Sequence, residues 1–302
     1  MSGVQGERVT QTQWQLGSWL DALEQRFDAA ELFFGHGTGD SWDEAVYLTF
    51  AALGISFEED DSIMERILQP EEVARVEALV RRRIEERVPV AYLVGEAWFC
   101  GLPFKVDERV LIPRSPIAEL INNHFEPLLN REPLRILDLC TGSGCIGIAC
   151  ALAFPDAQVD LADISTDALQ LAQENVQRHG LERRVRVIES DLFTAVQGPY
   201  DLIVTNPPYV SRQEVDELPA EYHHEPELGL LSLDDGLDIP LRILREAAAH
   251  LHEDGLLILE VGYSRDALSA RLPELPLLWL EFEHGGDGVC ALTAAQLREA
   301  FL

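Results

Sequence analysis

The chain has 302 residues, of which 47% are hydrophobic and 8% aromatic, enough for two globular domains with full cores. Its formal net charge is −30 and Lys105 is its single lysine, so its surface repels phosphate backbones, which counts against a nucleic-acid substrate. No apolar stretch approaches membrane-spanning length and the N-terminus lacks a basic-then-apolar signal pattern, which predicts a soluble, cytoplasmic protein.

Residues 1–87 are predicted to form a small helical domain that recognises the substrate. Apolar residues recur at helical spacing at Leu16, Trp19, Leu20, Leu23 and Phe27. The run Ser41-Trp-Asp-Glu44 is a capping box that predicts a helix ending at Gly54, and Pro70 is predicted to open another helix. The three arginines at 81–83 are interpreted as a solvated face near the end of that helix.

Two irregular segments accompany this helical domain. The run Gly35-His-Gly-Thr-Gly39 is too rich in glycine for a helix and is a candidate recognition loop. Residues 88–112 contain Ala97-Trp-Phe-Cys-Gly-Leu-Pro-Phe104, whose two apolar runs around a turn predict a β-hairpin linker. The remaining residues, 113–302, are predicted to form a second and larger domain.

Residues 113–302 alternate strand-like and helical patterns. Short apolar runs at 135–139, 158–162, 185–189, 201–205 and 256–261 predict parallel strands of an α/β, doubly wound sheet. A last pair, at 277–282 and 289–293, is predicted to add an antiparallel hairpin at one edge. Ligands of open α/β sheets bind at the carboxyl ends of the strands, so the site is expected there.

A glycine loop follows the first of these strands. Gly142 and Gly144 permit a tight turn close to a ligand, and Gly147 permits close packing of helix on strand. The three glycines also satisfy the dinucleotide pattern of dehydrogenases, which leaves an NAD site as an alternative. Asp138 favours a different cofactor, because a carboxylate before the loop repels a pyrophosphate but suits the ammonium group of S-adenosylmethionine.

Two more acidic residues follow the next strands. Asp163 stands where a doubly wound fold holds ribose hydroxyls. Asp191 could accept a hydrogen bond from an adenine amino group, with Leu192 covering the ring. Each aspartate alone fits a helix cap or a turn better than a ligand contact, but their placement after successive strands favours a cofactor site.

The run Asn206-Pro-Pro-Tyr209 follows the fourth strand and indicates methylation of a planar nitrogen. Such a nitrogen is a poor nucleophile, so a catalyst must orient it and accept hydrogen bonds from its N–H groups. Asn206 offers a side-chain carbonyl, and Pro207 holds the backbone rigid with its own carbonyl free. Tyr209 is predicted to offer a flat face to the amide plane.

With these motifs, residues from about 89 to 302 resemble the class I, Rossmann-like S-adenosylmethionine-dependent methyltransferases of the glutamine N(5)-methyltransferase family. The resemblance rests on Asp138–Gly144, Asp163-Ile-Ser165, Asn206–Tyr209 and Gly285-Gly-Asp-Gly-Val289. It implies that Thr141, Gly142, Ser143 and Gly144 bind the cofactor together with Asp138, Asp163, Asp191, Leu192 and Asn206. Cys140 departs from the glycine that many relatives carry.

Upstream segments point to one branch of that family. Leu111–Leu120 departs from the Pro-Arg-Pro-(Glu/Asp)-Thr run typical of release-factor methyltransferases, and it looks like the branch acting on large-subunit ribosomal protein L-three. Phe34–Asp40 points the same way. A basic ribosomal protein also suits a chain of charge −30, although a generally acidic proteome explains that charge as well.

Three other functions stay open at this point. A release-factor glutamine methyltransferase would share the catalytic residues. A DNA adenine methyltransferase carries the same Asn-Pro-Pro-Tyr motif, but it needs a basic recognition region that this sequence does not display. A non-catalytic adaptor would have lost Asn206 or the glycine loop. The run Glu221-Tyr-His-His-Glu225 holds metal-ligand residue types, but they are adjacent in one loop, and no metal is predicted.

Overall fold

The structure is a computed structural model that describes residues 13–301. The chain separates into two compact units, Met1–Val94 and Gly95–Leu302. The division lies inside segment 88–112, the predicted linker. Within residues 13–301, no helix combines the length and the apolar character needed to cross a membrane.

The first unit is a helical bundle. Its helices are α1 (Leu16–Ala29), α2 (Ser41–Leu53), α3 (Pro70–Glu85) and α4 (Val90–Val94), with a 3-10 turn at Asp61–Glu65. Helix α1 buries the face that the helical spacing predicted, from Leu16 to Phe27. Helix α3 begins at Pro70, as predicted, and its capping box is formed by Gln69 and Glu72.

Two predictions for this unit are wrong. Helix α2 begins at Ser41, but its cap is Asp40, whose carboxylate accepts from the backbone N–H of Asp43 at 2.9 Å. Glu44 is instead buried and forms an ion pair with Arg83, which is 1% exposed, whereas Arg81 and Arg82 are exposed as predicted. Arg83 also donates to the carbonyl of Phe33 at 3.0 Å. The arginine is buried because a buried carboxylate needs a charged, hydrogen-bonding partner.

The predicted hairpin consists of β1 (Glu96–Phe99) and β2 (Leu102–Lys105), paired antiparallel. Its turn residues, Cys100 and Gly101, have φ of 51° and 71°, as a two-residue hairpin turn requires. Phe99 and Phe104 belong to the hydrophobic core of the second unit. The hairpin is therefore part of that unit's packing and more than a connection.

The second unit contains a seven-stranded sheet. The strands are β3 (Arg135–Leu139), β4 (Gln158–Asp163), β5 (Val185–Glu189), β6 (Tyr200–Thr205), β7 (Leu251–Glu260), β8 (Leu278–Trp279) and β9 (Val289–Thr293). Their order is β5-β4-β3-β6-β7-β9-β8, with β3 to β7 parallel and β9 antiparallel to both of its neighbours. The mainly parallel sheet with a terminal antiparallel hairpin is confirmed, although β8 is shorter than predicted.

Helices cover both faces of this sheet. The helices of this unit are α5 (Ile117–Asn122), α6 (Cys145–Ala153), α7 (Thr166–Arg178), α8 (Arg212–Glu217), α9 (Glu227–Leu230), α10 (Asp238–His250), α11 (Arg265–Arg271) and α12 (Ala294–Phe301). Alternate residues of each strand enter two separate cores. Ile136, Leu202 and Ile258 pack with α6 and α7, whereas Leu137, Ile203 and Leu257 pack with α10 and α12. Because both faces are covered, the ligand site is left to the carboxyl edge.

Candidate active site

A cavity of about 240 Å³ lies at the carboxyl edge of the sheet. The ends of β3, β4, β5 and β6 contribute Leu139, Asp163, Ser190 and Asn206 to its wall. Arg109, Val110 and Leu111 line it from the segment before the sheet, and Leu228, Gly229 and Leu231 from the segment after Tyr209. The sheet therefore brings four of its strand ends to one enclosed space.

Asp138 lies beneath the glycine loop, residues Cys140–Gly144, and outside the cavity wall. Its Oδ2 accepts from the hydroxyl of Thr141 at 2.5 Å and from the backbone N–H of Gly147 at 2.8 Å. The residue is 1% exposed, and burial raises the pKa of its carboxyl to about 7. Among residues 13–301, the buried Oδ1 has no hydrogen-bond partner. This orphan oxygen is buried and does not line the cavity.

The glycine loop needs a backbone that few residues adopt. Gly142 and Gly144 have φ of 54° and 83°, and Cys140 has φ of 60°. A left-handed φ is costly for a residue with a Cβ, which is why glycine suits position 140 and Cys140 departs from it at a cost. A Cβ added to Gly147 would come within 2.2 Å of Leu161 Cδ2, so only glycine lets α6 pack here.

Thr141, Ser143 and Gly144 are set back from the cavity, whereas Cys140 and Gly142 line it. Thr141 and Ser143 are buried, and the Ser143 carbonyl accepts from the Asn175 amide at 2.9 Å. These residues shape the loop from behind. Their predicted roles in cofactor binding stay predictions.

Asp163 lines the cavity at the end of β4 and ties two loops together. Its Oδ2 accepts from the backbone N–H of Gly142 at 2.9 Å, and its Oδ1 accepts from that of Ser165 at 2.9 Å. Burial raises the pKa of this carboxyl, and the two backbone donors oppose the rise. Each oxygen keeps a further lone pair for a ligand hydroxyl.

Asp191 and Leu192 line the same cavity beyond β5. Arg242, on α10, donates to Asp191 Oδ1 at 2.9 Å and lines the cavity as well. Leu192 has φ of 49°, and its carbonyl accepts from the Ser190 hydroxyl at 2.6 Å. Arg242 could not be predicted from the sequence, because its partner lies 51 residues away.

The acceptor loop, Asn206–Tyr209, follows β6. Asn206 lines the cavity, and within residues 13–301 its side chain makes no hydrogen bond. Pro208 lines the cavity as well, whereas Pro207 is buried outside the wall. The Thr205 hydroxyl donates to the carbonyl of Leu139 at 2.7 Å, which ties the base of the acceptor loop to the end of β3. The amide of Asn206 is thus held at the wall with its hydrogen-bonding capacity unused.

Tyr209 does not line the cavity. Its ring packs so closely on Gly262 that an added Cβ there would lie 2.7 Å from Tyr209 Cε2. Its hydroxyl faces Glu260 Oε1 at 3.4 Å, and burial raises its pKa. The predicted contact of Tyr209 with an amide plane stays a prediction. In the structure, the Tyr209 side chain contacts Gly262 and Glu260.

Two contacts of buried carboxylates near the acceptor loop were not predicted from the sequence. Arg114 forms a two-pronged ion pair with Glu225, at 2.5 and 2.6 Å, and Glu225 also accepts from the Ile112 backbone N–H at 3.0 Å. Ser115 donates to Glu260 Oε2 at 2.5 Å. Glu260 carried a signal that could have been used, because it ends an apolar strand at the edge where the aspartates were sought.

The cavity suits a cofactor that carries positive charge. Asp163 and Asp191 line it, Asp138 lies beneath it with an orphan oxygen, and its apolar wall includes Leu139, Ala168, Leu192 and Ile239. Both lining arginines are already paired with carboxylates, Arg242 with Asp191 and Arg109 with Asp107. These acidic groups favour the positively charged S-adenosylmethionine and disfavour the negatively charged pyrophosphate of a dinucleotide.

Family models match two parts of this chain. Residues 118–221 match the methyltransferase small domain family, and residues 24–95 match the PrmC N-terminal domain family. A solved structure, the hMettl16 catalytic domain in complex with MAT2A 3'UTR hairpin 6, superposes with a TM-score of 0.52 at 17% identity. It covers 76% of this chain and 85% of that chain, which is evidence for a shared fold alone.

Two relatives match almost end to end, and both are named ribosomal protein uL3 glutamine methyltransferase. The protein of Francisella tularensis subsp. tularensis is 48% identical over 272 residues, 89% of this chain and 87% of the relative. The protein of Xanthomonas campestris pv. campestris is 53% identical over 274 residues, 90% of this chain and 89% of the relative.

Proposed function

Because the chain belongs to the family of ribosomal protein uL3 glutamine methyltransferases, we propose that it methylates N(5) of a glutamine in uL3, the large-subunit protein L-three. The observation that carries the chemistry is the Asn206 side chain, which lines the cavity with no hydrogen-bond partner among residues 13–301. A site that orients a carboxamide needs a free hydrogen-bond acceptor next to the cofactor. The Asn206 side-chain carbonyl is such an acceptor, and it lies beside carboxylates that suit a cationic cofactor.

The methyl donor of this class of enzyme is S-adenosylmethionine, which supplies an electrophilic methyl group on a sulfonium. Asp163 would hold the ribose hydroxyls through the lone pairs that Gly142 and Ser165 leave free. Leu192 would cover the adenine, and Asp191 would accept from its amino group while Arg242 fixes the carboxylate. Asp138 would act indirectly, through the glycine loop that it holds by the Thr141 hydroxyl.

Asn206 is the residue we assign to the substrate. Its side-chain carbonyl and the Pro207 backbone carbonyl would accept the two N–H groups of the glutamine amide and aim its nitrogen. As the new C–N bond forms, the methyl–sulfur bond of the sulfonium would break with its electron pair left on sulfur, and the amide nitrogen would become cationic. The same acceptors would then bind that nitrogen more tightly, which lowers the barrier. The nitrogen would release one proton to water, and since it becomes acidic only after methylation, no strong general base is needed.

The protein substrate is proposed on charge as well as on family. A surface of net charge −30 attracts a basic protein and speeds its association more than it tightens the final complex. The helical unit is proposed to take part in recognition through its glycine-rich loop, where the Thr38 hydroxyl donates to Glu44 Oε2 at 2.8 Å. Because Glu44 is buried against Arg83, this loop is anchored to the helical core.

A competition experiment tests the proposal. Purified enzyme is given uL3 and a peptide release factor together with labelled S-adenosylmethionine, at several salt concentrations, and the labelled residue is found by peptide mapping. We expect a labelled glutamine in uL3 and slower labelling at high salt, because exposed charges are screened beyond about 8–10 Å at physiological ionic strength. Preferential labelling of the release factor would overturn the assignment of uL3 as substrate and leave the proposed glutamine methylation intact. Labelled DNA with uL3 and the release factor unmodified would overturn the substrate assignment and the proposed chemistry.

A further inference from the structure

A buried carboxylate that the mechanism above does not use lies next to the acceptor loop. Glu260 is the last residue of β7 and is 4% exposed. Strands β6 and β7 run parallel with Thr205 opposite Leu259, so Glu260 is in step with Asn206 on the neighbouring strand. Glu260 does not line the cavity, and therefore any effect it has on the reaction passes through other residues.

Two hydroxyl groups from distant parts of the chain converge on this carboxylate. Ser115 donates to Oε2 at 2.5 Å, and Tyr209 donates to Oε1 at 3.4 Å. Ser115 also accepts from the backbone N–H of Ile117 at 3.1 Å, so it is held at the start of α5. Glu260 thereby connects the segment before the sheet with the last residue of the acceptor loop.

Burying a carboxylate here is costly, which makes its presence informative. Desolvation raises the pKa of Glu260 to about 7, while the bonds from Ser115 and Tyr209 and the charge of Arg114 oppose that rise. An apolar side chain at the end of β7 would avoid the cost. A polar group retained in such a place commonly specifies one arrangement of its neighbours.

From these contacts we infer that Glu260 is a positioning residue for methyl transfer: it holds Tyr209 by its hydroxyl and Ser115 by its own, and so fixes the acceptor loop that carries Asn206. The inference rests on the proposed role of Asn206. The backbone of Tyr209 has a separate anchor, since its carbonyl accepts from the Ser264 hydroxyl at 2.9 Å. The Tyr209 ring lies over Gly262. Among residues 13–301, its hydroxyl makes one hydrogen bond, to Glu260.

The consequence is a loss of turnover with little change in cofactor binding. A small misplacement of a positioning group costs about 100-fold in rate, so Glu260→Ala is expected to lower kcat by roughly 10- to 100-fold. Ser115→Ala and Tyr209→Phe each remove one hydroxyl and are expected to lower kcat by roughly 3- to 10-fold. Because the Asp163 side of the cavity is built from other strands, the Kd for S-adenosylmethionine is expected to change less than about 3-fold.

The test is a set of double-mutant cycles on full-length enzyme with uL3 as substrate. If Glu260 acts through both hydroxyls, adding Ser115→Ala or Tyr209→Phe to Glu260→Ala causes no further loss of kcat. Ser115→Thr keeps the hydroxyl and is expected to restore most of the turnover lost in Ser115→Ala. Asp254→Asn, an exposed change on the same strand, is the matched control and is expected to leave kcat unchanged.

A second measurement does not depend on the substrate. Hydrogen exchange followed by mass spectrometry is expected to be faster in Glu260→Ala for the peptide spanning 205–210, and unchanged for the peptide spanning 138–147. Additive losses of kcat, or normal exchange in 205–210, would overturn the inference. If the wild-type enzyme leaves uL3 unmodified, the proposed function fails, and the exchange experiment still decides whether Glu260 holds the loop.

Discussion

The two loops that face each other across the cavity are held in different ways. The glycine loop is shaped by bonds between residues 3 to 32 positions apart, such as Thr141 to Asp138 and Ser143 to Asn175. The acceptor loop and the segment beside it are held by bonds that span 51 to 145 positions, from Tyr209 and Ser115 to Glu260 and from Arg114 to Glu225. The cofactor side is therefore nearly self-contained, whereas the acceptor side depends on the completed fold.

Both sides nevertheless use the same device, a buried carboxylate that organises a loop. Asp138 is 1% exposed and Glu260 is 4% exposed, and burial raises the pKa of each to about 7. Asp138 accepts from its own loop and from α6, while Glu260 accepts from two segments that are far apart in sequence. We expect changes on the acceptor side to spread further through the molecule, and four predictions examine that difference, starting with the largest effect.

The largest effect is expected from Arg114→Ala. This change leaves Glu225, whose side chain is fully buried, without its charged partner, and such a loss costs about 3–5 kcal/mol of unfolding free energy. Equilibrium denaturation measures it. The matched control is Arg212→Ala, which breaks an exposed ion pair with Glu227 and should leave the unfolding free energy nearly unchanged. Equal losses in the two variants would show that the Arg114–Glu225 pair contributes no more to the unfolding free energy than an exposed ion pair does.

Asp138→Asn tests the buried carboxylate of the glycine loop through pH. Burial raises the pKa of Asp138 from 3.8 to about 7. Between these values the unfolded chain has lost the proton that the folded chain still binds, so stability falls as pH rises, by on the order of 4 kcal/mol in full. Denaturation of wild type and variant from about pH 5 to about pH 8 should show a shallower decline in Asp138→Asn. Parallel curves of stability against pH for wild type and Asp138→Asn would contradict the prediction. Asp167→Asn changes an exposed aspartate and is the control, which should follow wild type.

Asn206→Ala separates the two sides by their chemistry. Losing one preorganised polar contact costs about 100- to 1000-fold in kcat, or about 2.7–4 kcal/mol, while the Kd for S-adenosylmethionine should change little. Steady-state kinetics on uL3 and calorimetry with the cofactor measure the two quantities. Exposed Asn122→Ala is the control and should match wild type. A variant at position 206 with near-normal turnover would remove Asn206 from the mechanism.

Asp163→Ala should give the reverse pattern on the cofactor side. Without hydrogen bonds to a charged carboxylate, S-adenosylmethionine binding should weaken by about 1.5–3 kcal/mol. Part of that loss would come through Gly142, whose backbone N–H loses its acceptor. Calorimetry on Asp163→Ala, with exposed Asp167→Ala as control, decides the point. Unchanged cofactor affinity, or tight binding of NAD instead, would contradict the assignment.

Much of this protein could be predicted from the sequence because the determining interactions are local. Strand and helix patterns have periods of a few residues, so β3 and β5 begin and end at the predicted residues and β4 and β6 differ by one. Three of the sought groups, Asp163, Asp191 and Asn206, line one cavity because parallel strands end at one edge of the sheet. The glycine loop follows from the same logic, since its backbone angles are a property of its own residues.

Only the tertiary structure decided which polar residues pair across the chain. Arg83 was expected in solvent and is buried against Glu44, and Glu225 stood among metal-ligand residue types but is paired with Arg114. The position of Tyr209 over Gly262, facing Glu260, is of the same kind. A carboxylate has the same sequence signature in solvent, in a metal site or in a buried pair. Its partner is chosen by which segments the fold brings within hydrogen-bonding distance, and that distance is unrelated to their separation in the sequence.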